Sequence, residues 1–245
     1  LVVAIGHATR LIEYVQDDTI KEYRAVICFG SATDTDDAQG NVVAQSPVPL
    51  LDARTLQLLV AQFTGIIQQV PPKVSALHHN GERMYDLARR GIAPELPARP
   101  VHVHSIVIER WDAPHLTCRI RCGKGTYIRA LARDFGTFLQ SSAHLASLER
   151  TAVGDFSIDD ASTVELLQTV NVHDRLLPLE HAIRGWHIIT ADAQMAQKLR
   201  YGQSIAADVD GIPRAAVLDE QQHIIAVVTA RDGQWYPHKV FHRDI

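Results

Sequence analysis

The run Cys122-Gly123-Lys124-Gly125-Thr126-Tyr127-Ile128-Arg129 carries the residue types most able to do chemistry. Five basic residues, Arg119, Arg121, Lys124, Arg129 and Arg133, lie within fifteen positions, and the first acid beside them is Asp134. Leu116, Cys118, Ile120 and Cys122 alternate with Thr117, Arg119 and Arg121, the period of a strand with one apolar face. Two glycines then turn the chain into a helix with apolar residues at Ile128, Leu131, Phe135, Phe138 and Leu139. The unpaired N–H groups of a helix start favour an anion, and the arginines are expected to point the same way. A phosphate-rich ligand suits this pattern, with a phenol and a guanidinium side by side. A solvated helix start beside a half-buried tyrosine suits the same residues.

The elements that must hold this stretch can be read along the chain. Leu1–Ile5 reads as a strand and Ala8–Val15 as a short helix. Tyr23–Phe29 is apolar on both faces and belongs inside a sheet. A polar connection through Thr33-Asp34-Thr35-Asp36-Asp37 to Gly40 leads to a strand at Asn41–Gln45. Asp52 caps a helix with Leu56, Leu59, Val60 and Phe63 at helical spacing, closed by Gly65. Pro71-Pro72 forces extended chain, Gly81–Arg90 reads as a helix, and Val101–Trp111 as a strand. Leu145–Ser157 follows the helix, then a short helix near Thr163–Gln168. Composition changes around Pro178–Gly185. Beyond it come a helix at Ala191–Leu199 and strands near Ala215–Leu218, His223–Val228 and Trp235–Val240. Two domains are expected, residues 1–183 and 184–245.

At 245 residues, 46% apolar, the chain has enough material for a core. A net charge of -4 argues against a generally basic nucleic-acid coat but leaves room for a local basic face. Three cysteines without a Cys-x-x-Cys pair fit a reducing, cytoplasmic setting. No apolar run approaches the roughly eighteen residues of a membrane span, and no signal-peptide pattern opens the chain. The first residue is Leu1, from which an upstream start is expected.

Other constellations in the chain have plainer readings. A phosphate-binding P-loop fails because Gly125 follows Lys124, where a Ser or Thr is needed. Asp34, Asp36 and Asp37 with Gly40 look like a calcium loop, but Gln45 occupies the position of the bidentate glutamate. A turn rich in Asx residues, its acids free to pair with arginines, fits better. His78-His79 and His102-x-His104 lack a companion ligand set, so no metal site is expected. Ser75–Arg90, with Lys73 just before it, interleaves Arg83, Arg89 and Arg90 with Tyr85 and histidines, a mixture suited to RNA and also to an ordinary charged helix face.

Taken in order, these segments resemble the bacterial tRNA pseudouridine synthase B (TruB) family. The likeness rests on Lys21-Glu22-Tyr23-Arg24, the Thr33–Gly40 loop, Phe63-Thr64-Gly65, Gln69-Val70-Pro71-Pro72 and Ser75-Ala76-Leu77. It continues through Gly81–Arg89, Arg99-Pro100-Val101, Gly123–Leu131 and Leu148–Gly154, over nearly all of residues 1–180. The resemblance implies an α+β pseudouridine synthase fold around a mixed, mostly antiparallel sheet, followed by a small β-rich PUA-like RNA-binding domain. It implies an isomerase that converts the T-loop uridine (uridine-55) of tRNA to pseudouridine, without cofactor or metal. The base is flipped out, cleaved from the ribose, turned and rejoined through carbon 5. A soluble monomer is expected, with the T-arm of tRNA as its partner and the acceptor end as a further candidate contact.

Carried over residue by residue, the resemblance makes Tyr23 the active-site tyrosine stacked on the uracil, and Arg129 the partner of the catalytic aspartate. It gives Tyr127 and Leu148 to the uracil pocket, and the basic residues Arg83, Arg119, Arg121 and Lys124 to RNA binding. The catalytic aspartate itself, in a Gly-Thr-Leu-Asp-Pro motif, is not among these residues. The chain as given is therefore expected to be inactive alone. Val74, His78 and Glu149 stand where an aromatic, a lysine and a second arginine are usual. A non-catalytic tRNA-binding or folding protein on the same scaffold is the alternative.

Overall fold

Tyr23, Ala25, Ile27 and Phe29 fall on one side of a nine-residue strand, and from Ala25 onward that side is fully covered. The computed structural model describes residues 1–17, 19–74, 78–79, 82–83, 86, 90, 94, 96–207 and 211–241. In chain order α1 (Ile12–Asp17) precedes β1 (Lys21–Phe29), the pair β2 (Ser31–Thr33) and β3 (Val42–Gln45), α2 (Ala53–Phe63) and β4 (Gly65–Gln69). The short β5 (His78–His79) and β6 (Glu82–Arg83) lead to β7 (Arg99–Asp112), β8 (His115–Cys122), α3 (Ile128–Phe138), β9 (Ala143–Val153) and β10 (Phe156–Ser157). The tail adds α4 (Val164–Leu167), β11 (His187–Thr190), α5 (Ala193–Arg200), β12 (Ile205–Ala206), β13 (Arg214–Leu218), β14 (Ile224–Arg231) and β15 (Gln234–Val240). Contacts divide the chain into a continuous unit, Gln16–Ala161, and a second made of Leu1–Val15 and Ser162–Ile245.

In the first unit six strands pair in the order β10-β9-β1-β8-β7-β4, each antiparallel to its neighbour. Ala25, Ile27 and Phe29 of β1 meet Leu116, Cys118 and Ile120 of β8 and Leu131 and Phe135 of α3 in one core. Each large side chain buried this way contributes about 1.5–3 kcal/mol. Burial pushes the Cys118 thiol up to about 12 and the Cys122 thiol up to about 11, so both act as apolar filling rather than nucleophiles. α2 lies on the same side: Leu59 is fully buried, and the rings of Phe63 and Phe135 sit 4.8 Å apart. Its start is capped as the sequence predicts, the Thr55 N–H donating to Asp52 Oδ1 at 2.7 Å. α3 approaches β9 so closely at Gly136 that a Cβ there would lie 2.8 Å from the Cβ of Ala143.

The second unit holds a five-stranded sheet ordered β11-β13-β14-β15-β12, with β11 parallel to β13 and the remaining pairs antiparallel. Both of its faces are covered. Ala215 and Val217 face a cluster with Leu199 and Trp235, whereas Ala216 and Leu218 face Leu11, Tyr14, Ile183 and Phe241. Two-sided burial accounts for the unbroken apolar run of β13.

The observed elements depart from expectation in three places. Leu1–Ile5 forms no strand, and Leu1, Val3 and Ile5 are exposed. Glu82 and Arg83 pair with β5 instead of opening a helix, and residues 81, 84, 85 and 87–89 of that expected helix lie outside the described residues. Whereas composition places a boundary near 183, the units divide at Ala161, and Leu1–Val15 joins the tail. The reason is physical: Leu11 and Tyr14 supply the second face of the tail sheet, a long-range contact that no local composition signals.

Candidate active site

Arg129, the second residue of α3, reaches across to two other segments. Its Nη1 donates to Asp37 Oδ2 at 3.0 Å and to the Thr35 carbonyl at 3.3 Å, and its Nη2 donates to the Val74 carbonyl at 2.9 Å. Asp37 is in turn held by the Thr35 hydroxyl at 2.7 Å and the Gln39 N–H at 3.0 Å, both on Oδ1. Burial pushes its pKa up, but the bonds from Thr35, Gln39 and Arg129 together outweigh this and hold the carboxylate below its usual range. The loop is therefore a turn whose acids are consumed locally: Asp34 Oδ1 accepts from the Asn41 N–H at 2.9 Å. A side chain at Gly40 would strike Asp34 and Thr35, each 2.3 Å from a built Cβ. Of the readings weighed for these acids, the Asx turn with arginine pairing is the one observed.

Tyr127, the N-cap residue of α3, is gripped through its backbone. Its N–H donates to Gln69 Oε1 at 2.9 Å, and its carbonyl accepts from Gln69 Nε2 at 3.1 Å. Gln69 is fully buried, so its primary amide mimics a strand partner and leaves no polar atom unpaired. Arg99 donates to the Gly125 carbonyl at 2.8 Å and lies 5.3 Å from the centre of the Tyr127 ring, fixing the turn and the aromatic together. Gly125 has φ +81, a left-handed conformation that glycine adopts without strain.

Tyr23 sits on β1, on the same side of the sheet as α3. Burial pushes its phenol pKa up, the nearby Cys122 adds to this, and a hydrogen bond from Arg150 opposes it. Its hydroxyl is thus neutral and able to donate. On β9 an extra residue, Thr151, shifts the register so that Tyr23 pairs with Arg150 while Glu22 pairs with Ala152. Leu148 pairs with Ala25, two positions along the same face, and is 44% exposed. An exposed leucine beside a tyrosine on the core side of a sheet leaves apolar surface where a flat base can lie.

The remaining basic residues do not converge with the helix start. Strand alternation turns Arg119 and Arg121 to the opposite face of the sheet, which corrects the expectation that they point at one anion with the N-terminus of α3. There Arg119 meets Glu109 at 3.1 Å and Glu22 at 3.5 Å, Arg24 meets Glu109 at 2.7 Å, and Arg121 lies 4.0 Å from Glu22. Lys124 is exposed on the turn between β8 and α3. Arg83 lies in β6, and its side chain is outside the described residues. The ring centres of His102 and His104 lie 3.9 Å apart, with the planes tilted by 44°. Among the described residues no group of three or more His, Cys, Asp or Glu is arranged to hold a metal ion, and no helix is long and apolar enough to cross a membrane.

Sequence reasoning missed the roles of Gln69 and Arg150. A signal for Gln69 existed: it occupies an inward position in the period-two pattern of β4, where an apolar residue is ordinary. For Arg150 there was none, because the bulge that brings it to Tyr23 leaves no mark in composition.

The family model for TruB family pseudouridylate synthases (N-terminal domain) matches residues 1–128, and the chain belongs to that family. The tRNA pseudouridine synthase B of Trichormus variabilis is 36% identical over 247 residues, covering 98% of this chain and 84% of that protein. Its counterpart in Cereibacter sphaeroides is 38% identical over 249 residues, covering 98% and 82%. The fold also matches a chain of an H/ACA RNP bound to a substrate RNA containing 2'-deoxyuridine, with TM-score 0.68, 17% identity, and coverage of 96% and 70%. A chain of a Cbf5-Nop10-Gar1 complex matches with TM-score 0.67, 18% identity, and coverage of 96% and 69%. The pseudouridine synthase fold is α+β, as expected.

Proposed function

We propose that this protein converts the T-loop uridine of tRNA, U55, to pseudouridine. The observation that carries the reading is Arg129, held by one carboxylate and two carbonyls in a chain of this family. Relatives named tRNA pseudouridine synthase B, aligned over nearly the whole chain, support tRNA as the substrate.

The reaction breaks the bond from N1 of the base to the ribose, turns the base and forms a bond from carbon 5; the carbon-5 proton goes to solvent and N1 takes up a proton, so the product is an isomer. Flipping the uridine costs a few kcal/mol, offset by stacking on an aromatic ring at about 1–3 kcal/mol. Tyr23, with its raised pKa, gives that ring and a neutral hydroxyl able to donate a hydrogen bond to the base. Leu148 and Tyr127 complete the walls around the base. Arg129 steadies the attacking carboxylate, because an adjacent guanidinium opposes the desolvation that would protonate it. That carboxylate is assigned to a Gly-Thr-Leu-Asp-Pro segment and not to Asp37, whose oxygens are already bonded to Thr35, Gln39 and Arg129.

Lys124 remains in the proposal as a phosphate contact. The tail unit is assigned a PUA-like role in gripping tRNA, and the protein acts as a monomer. The test is release of tritium from carbon-5-labelled uridine in a tRNA transcript, with a transcript lacking the T-loop uridine as control. The 245 residues alone are expected to bind tRNA without release, and the same residues preceded by the aspartate segment to release one label per tRNA. Salt-sensitive binding with no release from either protein supports the non-catalytic alternative.

A further inference from the structure

Arg133 lies one helical turn beyond Arg129 and repeats its pattern of contacts. Its Nη1 donates to Asp36 Oδ2 at 2.9 Å, its Nη2 to the Val70 carbonyl at 2.8 Å, and its Nε to Asp134 Oδ1 at 3.0 Å. Arg129 binds Asp37 and Val74. Two arginines spaced i, i+4 on one helix face thus take two successive aspartates from one loop and two carbonyls from the extended 69–74 segment. Every described partner of the Arg129 guanidinium belongs to those two segments. The place of its charge therefore depends on where the segments are held.

Asp36 is the hinge of the arrangement. It has φ +62, a left-handed conformation that costs a residue with a side chain about 1 kcal/mol or more and persists only when its surroundings hold it. The holding groups are visible on both sides. The Asp36 carbonyl accepts from the Leu145 N–H at 2.9 Å, the Ala38 N–H donates to the Leu145 carbonyl at 2.9 Å, and Arg133 takes the side chain. Asp134 and Asp36 both border the same guanidinium and repel each other; burial raises the pKa of each, and Arg133 opposes that rise. Without Arg133 the two carboxylates lose the guanidinium they share, although Arg129 still attracts Asp36, and the loop carrying Asp37 loses a tie to α3.

We infer that Arg133, clasped by Asp36 and Asp134, is a positioning residue that sets the Asp37–Arg129 pair for the isomerisation. The inference rests on the synthase reading above. A lysine cannot replace it, since one ammonium does not reach a carboxylate on another loop, a carbonyl and its own neighbour in three fixed directions.

The test is single-turnover pseudouridine formation at saturating tRNA by the tRNA-active parent protein and its variants, together with tRNA affinity and amide hydrogen exchange. Arg133→Ala is expected to slow the rate constant by about ten- to a hundredfold, the scale of a misplaced catalytic group, with tRNA affinity within about threefold. Asp36→Asn slows it less, and the double variant is less impaired than the product of the two, because it removes the stranded carboxylate. Exchange at Asp36–Ala38 rises selectively. An unchanged rate, a loss confined to tRNA affinity, or faster exchange spread evenly over the unit overturns the inference. Should Arg133→Ala fail to fold, Asp36→Asn decides by the same readouts. A parent without turnover overturns the synthase reading instead, and the exchange result then still shows whether Arg133 holds the loop.

Discussion

The two faces of the main sheet carry similar inventories of arginine and acid and use them differently. On the outer face Arg24 and Arg119 share Glu109, and Arg119 and Arg121 approach Glu22, with arginine side chains about half exposed. On the helix-bearing face Arg129 and Arg133 are 25% and 29% exposed, and each also binds a backbone carbonyl of a distant segment. The outer pairs join strands that the sheet ladder already holds. The inner pairs tie α3 to loops that lie outside the sheet ladder. Water and salt screen the first set, whereas partial burial preserves the second. A basic cluster in sequence can therefore be surface charge or architecture, and the difference lies in what else each guanidinium grips.

This contrast can be broken at graded points. The largest effect is expected from Arg129→Ala in the active protein: a fall of about a hundred- to a thousandfold in the single-turnover rate, the scale of losing one preorganised charge partner. Tyr23→Ala should fall in the same range, and near-normal rates in both variants would show that the site is misassigned. Gln69→Leu comes next. It strands the N–H of Tyr127, whose carbonyl keeps the bond from the Leu131 N–H, and should cost about 1–3 kcal/mol, read from urea unfolding of the unit.

A smaller effect separates neighbouring aspartates by sign. The pKa of Asp37 is held low, so its stabilisation is present above the unfolded value near 4 and lost as pH falls through the lowered one. The pKa of Asp36 is raised, so ionising it costs stability as pH rises from about 4 through the raised value. Asp37→Asn should therefore flatten the rise of stability out of acid, and Asp36→Asn should flatten the later decline; unfolding midpoints between about pH 3 and 7 measure both. The smallest effect belongs to the outer face. Arg119→Ala should change stability by less than about 1 kcal/mol and vanish from notice in molar salt, with tRNA affinity within about twofold by filter binding. A large loss of tRNA affinity would move RNA binding onto that face.

Much of this arrangement was legible in the residues. Strand alternation in β8, the Asp52 cap and the apolar spacing of α3 are local signals, and each was met. The same alternation implied that Arg119 and Arg121 face away from the apolar side, yet their closeness in sequence to Arg129 suggested convergence. Pairing of the loop acids with arginines was open as a possibility, but not which acid meets which arginine, because that depends on how α3 is rotated against the loop. Gln69 stands out as a polar residue at an inward position of β4, but its partner, 58 residues away, leaves no local mark. The bulge at Thr151 and the merging of Leu1–Val15 with the tail were hidden for the same reason: both are settled by pairing across long separations.

That merging has a consequence for the order of events on the ribosome. The hydroxyl of Tyr14 bonds His238 Nδ1 at 2.5 Å, 224 residues later, and Leu11 is buried against residues that include Phe241. At about 5–20 residues per second, the first segment emerges some ten to forty-five seconds before its partners are made. The 16–161 unit, being continuous, can complete its core meanwhile. The segment that precedes it waits with Leu11 and Tyr14 uncovered, and during that interval it is the part of the nascent protein most open to a chaperone or a protease.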